Sequence, residues 1–480
     1  MDGLELDGFL WKGSVWQNPY AGVRERHIDC RHRAGVPPSG QLLNSLGGRA
    51  RFRWCVTAVR RHLWRMPWRD RWGGRQGEGD LRILHFGRFY NDSFGGLERH
   101  VDALLRGLKS HCEADNLVAH DHWARTVIST GSYTVYKTPS LGKVAGTALC
   151  PTMPWLARAL HRERSYDLVH LHLPDPMAHL AAAFLPGSVK RVITWHSDIV
   201  RQKRLLKLYR PFLGALLNRA DAIIVPTPAH ISSSSQLGLC RRPERYHVVP
   251  FGIEYGVFDK AAQQHQRIAD LKASLGGDKV PVLFAVGRHV YYKGFEYLIR
   301  AMIHVPQGIL VVGGDGPLTS DLRAMSTSLG LGARVRFVGR IPDAELPFYY
   351  HACDVFCMPS VAPAEAFGLV QLEAMACGKP VVCCELHNGV TYVNRDGETG
   401  LVVPPRDPQA LAAAINKLLV NPALRQRLGE RGRNRARTEF SLDAMVAGTL
   451  AVYERVLGRD AEAWTHARPE DDRAQVAARQ

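Results

Sequence analysis

The 480-residue chain is short of acid, with 45 Asp and Glu against 62 Lys and Arg and a formal charge of +17. The deficit points to an anionic partner: nucleic acid, a membrane surface or a phosphorylated substrate. Long apolar runs are missing too. No stretch offers the ~18 uninterrupted apolar residues of a membrane-spanning helix. The opening residues, MDGLELDGFLWKGS, lack the basic start and apolar core of a secretory signal. The ten cysteines include no Cys-x-x-Cys pair, and no histidines stand at finger spacing, which argues against a zinc site. Reduced thiols in a cytosolic protein are the expectation. There is no G-x-G-x-x-G turn and no Walker lysine, which argues against a dinucleotide dehydrogenase and an ATPase.

What is present falls into blocks. Residues 1–80 hold six of the ten tryptophans and many arginines. Within them Val56, Val59, Leu63 and Trp64 could share one face of a short helix ringed by Arg60, Arg61 and Arg65, suited to an anionic membrane. The plainer expectation is a disordered extension, followed by a linker at GGRQGEGD. From Leu81 the texture changes. LRILHFGRF reads as a buried strand, and GGLERHVDALLRGL as a helix with Leu97, Val101, Leu104, Leu105 and Leu108 on one face. YDLVHLHL, RVITWHS, ADAIIVPT and YHVVPFGI read as further strands separated by helices. A polar helical stretch covers 259–279. A second series then begins with VPVLFAVGR, GILVVGGDGP, RVRFVGRI, DVFCMPS, KPVVCCEL and TGLVVPP. Alternating strands and helices predict an α/β chain with two doubly wound parallel sheets. The domains expected are 81–262 and 263–440, with a helix over 441–458 and a polar, frayed tail over 459–480.

In open parallel sheets ligands bind beyond the carboxyl ends of the strands, so the loops there carry the chemistry. Gly95 and Gly96 precede a helix and let backbone N–H groups approach a phosphate or sugar. Arg288 and Lys293 follow a strand and suit a diphosphate, one as a fork of donors and the other as a point charge. In PSVAPAEAFGLVQLEAMACGKPVV, Glu365 lies on the loop after a strand. Gly368 and Leu369 open the next helix with free N–H groups, and Glu373 lies further along it, able to accept from a ribose diol. Gly314, in GDGP, is a turn lining the same cleft. His196 stands at a strand end, where it can orient a sugar hydroxyl or share a proton. His170 and His172 read as support, with Asp175 beyond them. His120, Asp121 and His122 look metal-like, but adjacent strand positions face opposite ways, so no metal site is assigned.

The segments EAFGLVQLEAMACGKPVV, VGRHVYYKGFEYLIRA, GGDGP, GGLERHV and DGETGLVVPP together resemble the retaining GT-B glycosyltransferases with a paired-glutamate signature. HLHLPDP, TWHSDIVRQKRLLKLYRPFL and ELHNGVTYVNRDGETGL look more particularly like bacterial mannosyltransferases of O-antigen and exopolysaccharide assembly. The likeness runs over about residues 81–458. It implies two Rossmann-like domains facing a central cleft, with the last helix crossing back to the first domain. It implies hexose transfer from a nucleotide sugar, such as GDP-mannose or another GDP- or UDP-hexose, to a glycan or polyprenyl-diphosphate-linked acceptor. Arg288 and Lys293 would bind the donor diphosphate, Glu373 the ribose and Glu365 the donor sugar. Gly95 and Gly96 would approach from the other domain, and His196 would lie beside the sugar. No resident cofactor is implied and no metal, since no Asp-x-Asp lies near a strand end. The expected location is the cytoplasm, peripheral on the inner face of an anionic membrane. Three other readings share some features: a GT-B sugar-nucleotide epimerase, a non-catalytic membrane-associated nucleotide-sugar-binding protein, and a nucleic-acid binder, for which no recognition module is found.

Overall fold

The computed structural model describes residues 24–27, 81–90, 95–144, 146–200, 202–276 and 280–458. Apart from residues 24–27, the extension with its expected disorder and its Val56–Trp64 helix lies outside the described residues, as does the tail after 458.

The first sheet is built from β1 (Arg24–His27), β2 (Arg82–Phe89), β3 (Glu113–Ala119), β4 (Thr126–Ser129) and β5 (Thr134–Thr138). A small hairpin, β6 (Lys143–Val144) and β7 (Thr147–Ala148), interrupts it. It resumes with β8 (Leu168–Leu173), β9 (Lys190–Trp195), β10 (Ala222–Val225) and β11 (Tyr246–Val248). The strand order is β1-β4-β5-β3-β2-β8-β9-β10-β11. Every pair from β5 to β11 is parallel, while β4 and β1 run antiparallel at the edge. The second sheet comprises β12 (Val282–Val286), β13 (Ile309–Gly313), β14 (Val335–Gly339), β15 (Val355–Met358), β16 (Val381–Cys384) and β17 (Gly400–Val403). It is wholly parallel in the order β14-β13-β12-β15-β16-β17. Two doubly wound domains are therefore present, as the alternating pattern predicted.

Both sheets are buried on both faces, which is why β8 (LVHLHL) and β16 (VVCC) carry no exposed residue. The sequence pattern did not single out β3, β4 or β5. In β3 the polar Asp115 and Asn116 interrupt the apolar run, yet both are buried. Asp115 Oδ2 lies 3.0 Å from Arg164 Nε, and Asn116 Oδ1 accepts from the Gly87 N–H at 3.0 Å. Paired in this way, polar residues sit inside a sheet without the usual desolvation loss. The polar stretch 259–279 forms two helices, Gly256–Ala262 and His265–Ser274. The first of these already packs on Leu346–Ala352 of the second domain.

The domains are joined by two crossings that run side by side. The Ile253 N–H donates to the Phe440 carbonyl and the Leu442 N–H to the Ile253 carbonyl, both at 3.0 Å. Ser441 then caps the final helix, Leu442–Leu457, through the Ala444 N–H. That helix returns to the first domain and lays Tyr453, fully buried, against β2 and β8. One buried apolar cluster runs from Ile83 through Phe284 and Phe356 to Met445 and Tyr453, so the domain junction is a shared core. Among the described residues, no helix is long and apolar enough to cross a membrane.

Gly252 sits where the two crossings touch, and a Cβ there would collide with the Ser441 carbonyl. Gly252→Ala should cost about 2–4 kcal/mol of stability. Gly256→Ala, in open space, should stay within about 0.5 kcal/mol. Denaturant unfolding of the two variants checks this, and equal stability would mean that the crossing backbones separate easily.

Candidate functional site

In each sheet the strand order reverses direction at one point, and there the loops above neighbouring strands part to leave a crevice. In the second sheet this point lies between β12 and β15, the strands that precede Lys293 and Glu365. The two side chains meet in the crevice, with Lys293 Nζ 2.5 Å from a Glu365 oxygen and side-chain exposures of 14% and 11%. Ser360, at the end of β15, donates to the same carboxylate at 2.9 Å. Asn388 caps the helix Gly389–Val393 and donates to the Glu365 carbonyl at 2.7 Å, tying down the loop. Burial is the largest single influence on Lys293 and favours its neutral amine. Glu365, Tyr292 and Glu373 together outweigh it and hold the lysine above its ordinary pKa. The expected diphosphate lysine is thus the counter-ion of the expected sugar-binding glutamate. Arg288 is exposed, and its side chain makes no hydrogen bond or ion pair among the described residues.

Gly368 caps the helix Leu369–Ala376 in a left-handed conformation (φ 77°), where a Cβ would meet Met358 and Gln371 at 2.8 Å. The N–H groups of Leu369 and Val370 follow at the helix start and have no partner within it. Leu369 Cδ1 lies 4.0 Å from the place where Gly96 lacks a Cβ, so the two glycine-led helices meet end to end across the cleft. The Gly95 N–H is already taken by Glu98, at 3.1 Å. Gly314 (φ 106°) packs its backbone against Gly287, which in turn abuts Lys293.

Glu373 is buried on that helix. It accepts from Tyr350 Oη at 2.6 Å and lies 3.7 Å from Arg99 of the first domain. Arg99 also pairs with Asp343. Burial raises the pKa of Glu373, while Arg99 and Tyr350 oppose the rise. The sequence pattern missed Tyr350, Arg99 and Asn388. Arg99 stood in plain view beside the glycine pair, three residues into the helix that was read.

His196 lies at the end of β9 and is buried against Phe251, which packs on Phe367 in the Glu365 loop with ring centres 5.1 Å apart in each case. It also ends a buried chain. His196 Nε2 and His172 Nδ1 are 3.1 Å apart, as are His172 Nε2 and His85 Nδ1. Tyr453 Oη then stands 3.5 Å from His85 Nε2 and 2.6 Å from His170 Nδ1, and His170 Nε2 is 2.7 Å from Thr194. A neutral imidazole has one donor and one acceptor, so His196, His172 and His85 bond in one sense and each tautomer sets the next, while the Tyr453 hydroxyl can accept from either side. His170 and His172 are support residues, as read, but they support His196 directly. His100, missed by the sequence pattern, is buried beside His196 with neither ring nitrogen hydrogen-bonded. Two trios, His85/His170/His172 and His100/His172/His196, place ring nitrogens within 4.8 Å, close enough to hold a metal ion. Hydrogen bonds already engage every one of these nitrogens except those of His100 and Nδ1 of His196.

One expectation needs correction. His120, Asp121 and His122 lie beyond the end of β3, so strand alternation does not separate them, and the two imidazoles touch at 4.0 Å. They belong to no cluster of metal-ligating groups among the described residues. Asp175, in the loop beyond β8, caps the helix Pro176–Ala183 through two backbone N–H groups.

Burial lowers the pKa of His85 and His100 from 6.5 to about 3 and pushes His170, His172 and His196 well down. His230 falls to about 4. Unfolding frees these rings to take protons below pH 6.5, so the unfolded chain binds more protons and stability is lost as pH falls from 6.5 toward 3. Asp115, Asp175, Glu373 and Glu454, raised by burial, act in the opposite sense, four carboxyls against these six imidazoles. Between pH 6.5 and 5 the unfolding free energy should fall by at least one proton's worth, about 1.4 kcal/mol per pH unit. A flat profile in denaturant titrations would mean that the cluster carries charge. At the ion pair, a double-mutant cycle with Lys293→Met and Glu365→Gln should give a coupling of about 2 kcal/mol; additive effects would show that the pair does not hold the loop.

Comparison with known proteins fits this geometry. The glycosyl transferases group 1 family model matches residues 267–435, and the glycosyltransferase family 4 model residues 94–255. The chain is 31% identical over 386 residues to O-antigen chain mannosyltransferase C of Escherichia coli, covering 78% of this chain and 99% of that protein. It is 32% identical over 372 residues to a D-rhamnosyltransferase of Pseudomonas aeruginosa, covering 75% and 92%. Sucrose-phosphate synthase from Thermosynechococcus elongatus superposes with a TM-score of 0.66 at 26% identity, covering 79% of this chain and 99% of that one.

Proposed function

This chain belongs to the group 1 glycosyl transferases, and we propose that it moves a mannose-like hexose from a nucleoside-diphosphate sugar to a growing glycan, with the anomeric configuration retained. The observation that carries this reading is the Lys293–Glu365 pair at the switch point of β12 and β15, beside the helix start at Leu369. A diphosphate entering there finds Arg288, the Lys293 ammonium and two free N–H groups, which stabilise the charge of a leaving nucleotide. This positive set also supports holding the diphosphate without a divalent ion. As Lys293 turns toward phosphate, Glu365 is released to accept hydroxyl hydrogen bonds from the donor sugar.

In the reaction the bond from the anomeric carbon to the diphosphate oxygen breaks, and its electron pair stays with the diphosphate. The acceptor hydroxyl oxygen bonds to the same face of the carbon, and its proton passes to the departing phosphate oxygen. His196, aligned by the histidine chain, would orient a sugar hydroxyl. Glu373 would trade its contact with Arg99 for the ribose. Domain closure would exclude water from the oxocarbenium-like carbon.

The named activities of the two bacterial relatives support mannose or its 6-deoxy form as the sugar, and cell-surface polysaccharide as the product. GDP is the nucleotide expected. A polyprenyl-diphosphate-linked acceptor at the inner face of the cytoplasmic membrane would account for the basic charge.

Glu365→Gln should lower kcat by about 100-fold or more, as loss of an interaction made chiefly in the transition state. Arg288→Ala should weaken nucleotide binding by about tenfold with no loss of stability, since Arg288 is exposed. A thermal-shift panel of GDP, UDP, ADP and their sugars, followed by turnover with the selected donor, checks both. A UDP-selective shift would overturn the GDP assignment, and full activity in Glu365→Gln would overturn the role of that residue.

A further inference from the structure

The helix Lys203–Arg219 has two apolar faces. Leu213, Leu216 and Leu217 are buried in the first domain's core. Leu205, Leu208 and Phe212, spaced i, i+3, i+7 on another face, are 51%, 74% and 64% exposed. Scattered exposed leucines need no explanation, but an aligned row on one helix does.

The charge on this helix is one-sided. It carries five cations, Lys203, Arg204, Lys207, Arg210 and Arg219, and no acid. Arg204, Lys207 and Arg210 are exposed, and none of the three is in an ion pair among the described residues. The apolar surface also continues sideways. His179 Nδ1 lies 2.9 Å from Tyr209 Oη, which sets the helix beside Pro176–Ala183 and its exposed Leu180. At the other end, the Gln202 amide nitrogen is 3.9 Å from the Cβ position of Gly146, in the β6–β7 turn where Val144 is exposed.

We propose that the helix Lys203–Arg219 is the surface by which this protein docks on an anionic phospholipid bilayer. Leu205, Leu208 and Phe212 would enter the acyl boundary while the arginines and Lys207 reach back to phosphate headgroups. A nucleic acid would match the charge and leave the apolar row unused. A second copy of the chain would cover the row and set like charges against each other. In the chain, the helix starts soon after His196. Bilayer docking rests on the transfer reading only in that a lipid-linked acceptor would sit in the same bilayer.

The test is co-flotation of the full chain with vesicles of phosphatidylcholine alone, and of phosphatidylcholine and phosphatidylglycerol in equal parts, at low and high salt. The parent should float with the anionic vesicles only and detach as salt is raised. Leu208→Gln/Phe212→Gln, neutral and on the surface, should lower the bound-to-free ratio by about tenfold or more, with melting temperature and nucleotide-induced shift unchanged. Flotation equal to the parent's would overturn the proposal and move the contact to another surface. So would a parent chain that binds DNA and not vesicles, or one that is dimeric in solution and becomes monomeric on substitution. A chain that floats as expected but whose melting no nucleotide shifts keeps the docking surface and loses the transfer reading. A chain that shifts with a nucleotide but never floats does the reverse.

Discussion

Lys293 and Glu365 come from loops above adjacent parallel strands, and neither charge is stable alone once it is removed from water. Each holds the other, and Ser360 and Asn388 fix the carboxylate's loop around them. An isolated buried charge costs several kcal/mol, so the loop geometry is bound to the pairing. On the proposed function, the lysine would meet the diphosphate and the carboxylate the sugar.

The same economy recurs between the domains. Glu373 is stabilised by Tyr350 from its own domain and by Arg99 from the other, and a ligand that took over Glu373 would loosen an interdomain strut. The final helix adds a second link. Tyr453 belongs to the last segment of the chain yet sits in the first domain, where it joins the histidine chain that ends at His196. Tyr453 thus ties that helix by hydrogen bonds to the buried histidines behind His196. The helix Lys203–Arg219 begins a few residues after His196.

Much of this was legible in the sequence, because parallel sheets buried on both faces write their strands as apolar runs. The runs at β2, β8, β9, β12, β13 and β15 located both domains, and the loops after them held Lys293, Glu365 and His196. The strands that escaped, β3 to β5, lie where buried polar residues are paired across long sequence distances, as Asp115 is with Arg164. The extent of the polyhistidine chain escaped for the same reason. His85, His172 and His196 come from β2, β8 and the end of β9, and only the strand order sets them side by side.

Sequence alone determined the α/β class, the two-domain division, the family resemblance and the residue types at the strand ends, since these follow from local periodicity and short motifs. Tertiary structure decided the pairings. It made Lys293 the partner of Glu365 and gave Glu373 to Arg99 and Tyr350. It also turned one row of the helix Lys203–Arg219, Leu205, Leu208 and Phe212, outward. The reason is physical: which charge neutralises which, and which apolar face finds a core, depends on elements far apart in sequence meeting in space, and no local pattern carries that information.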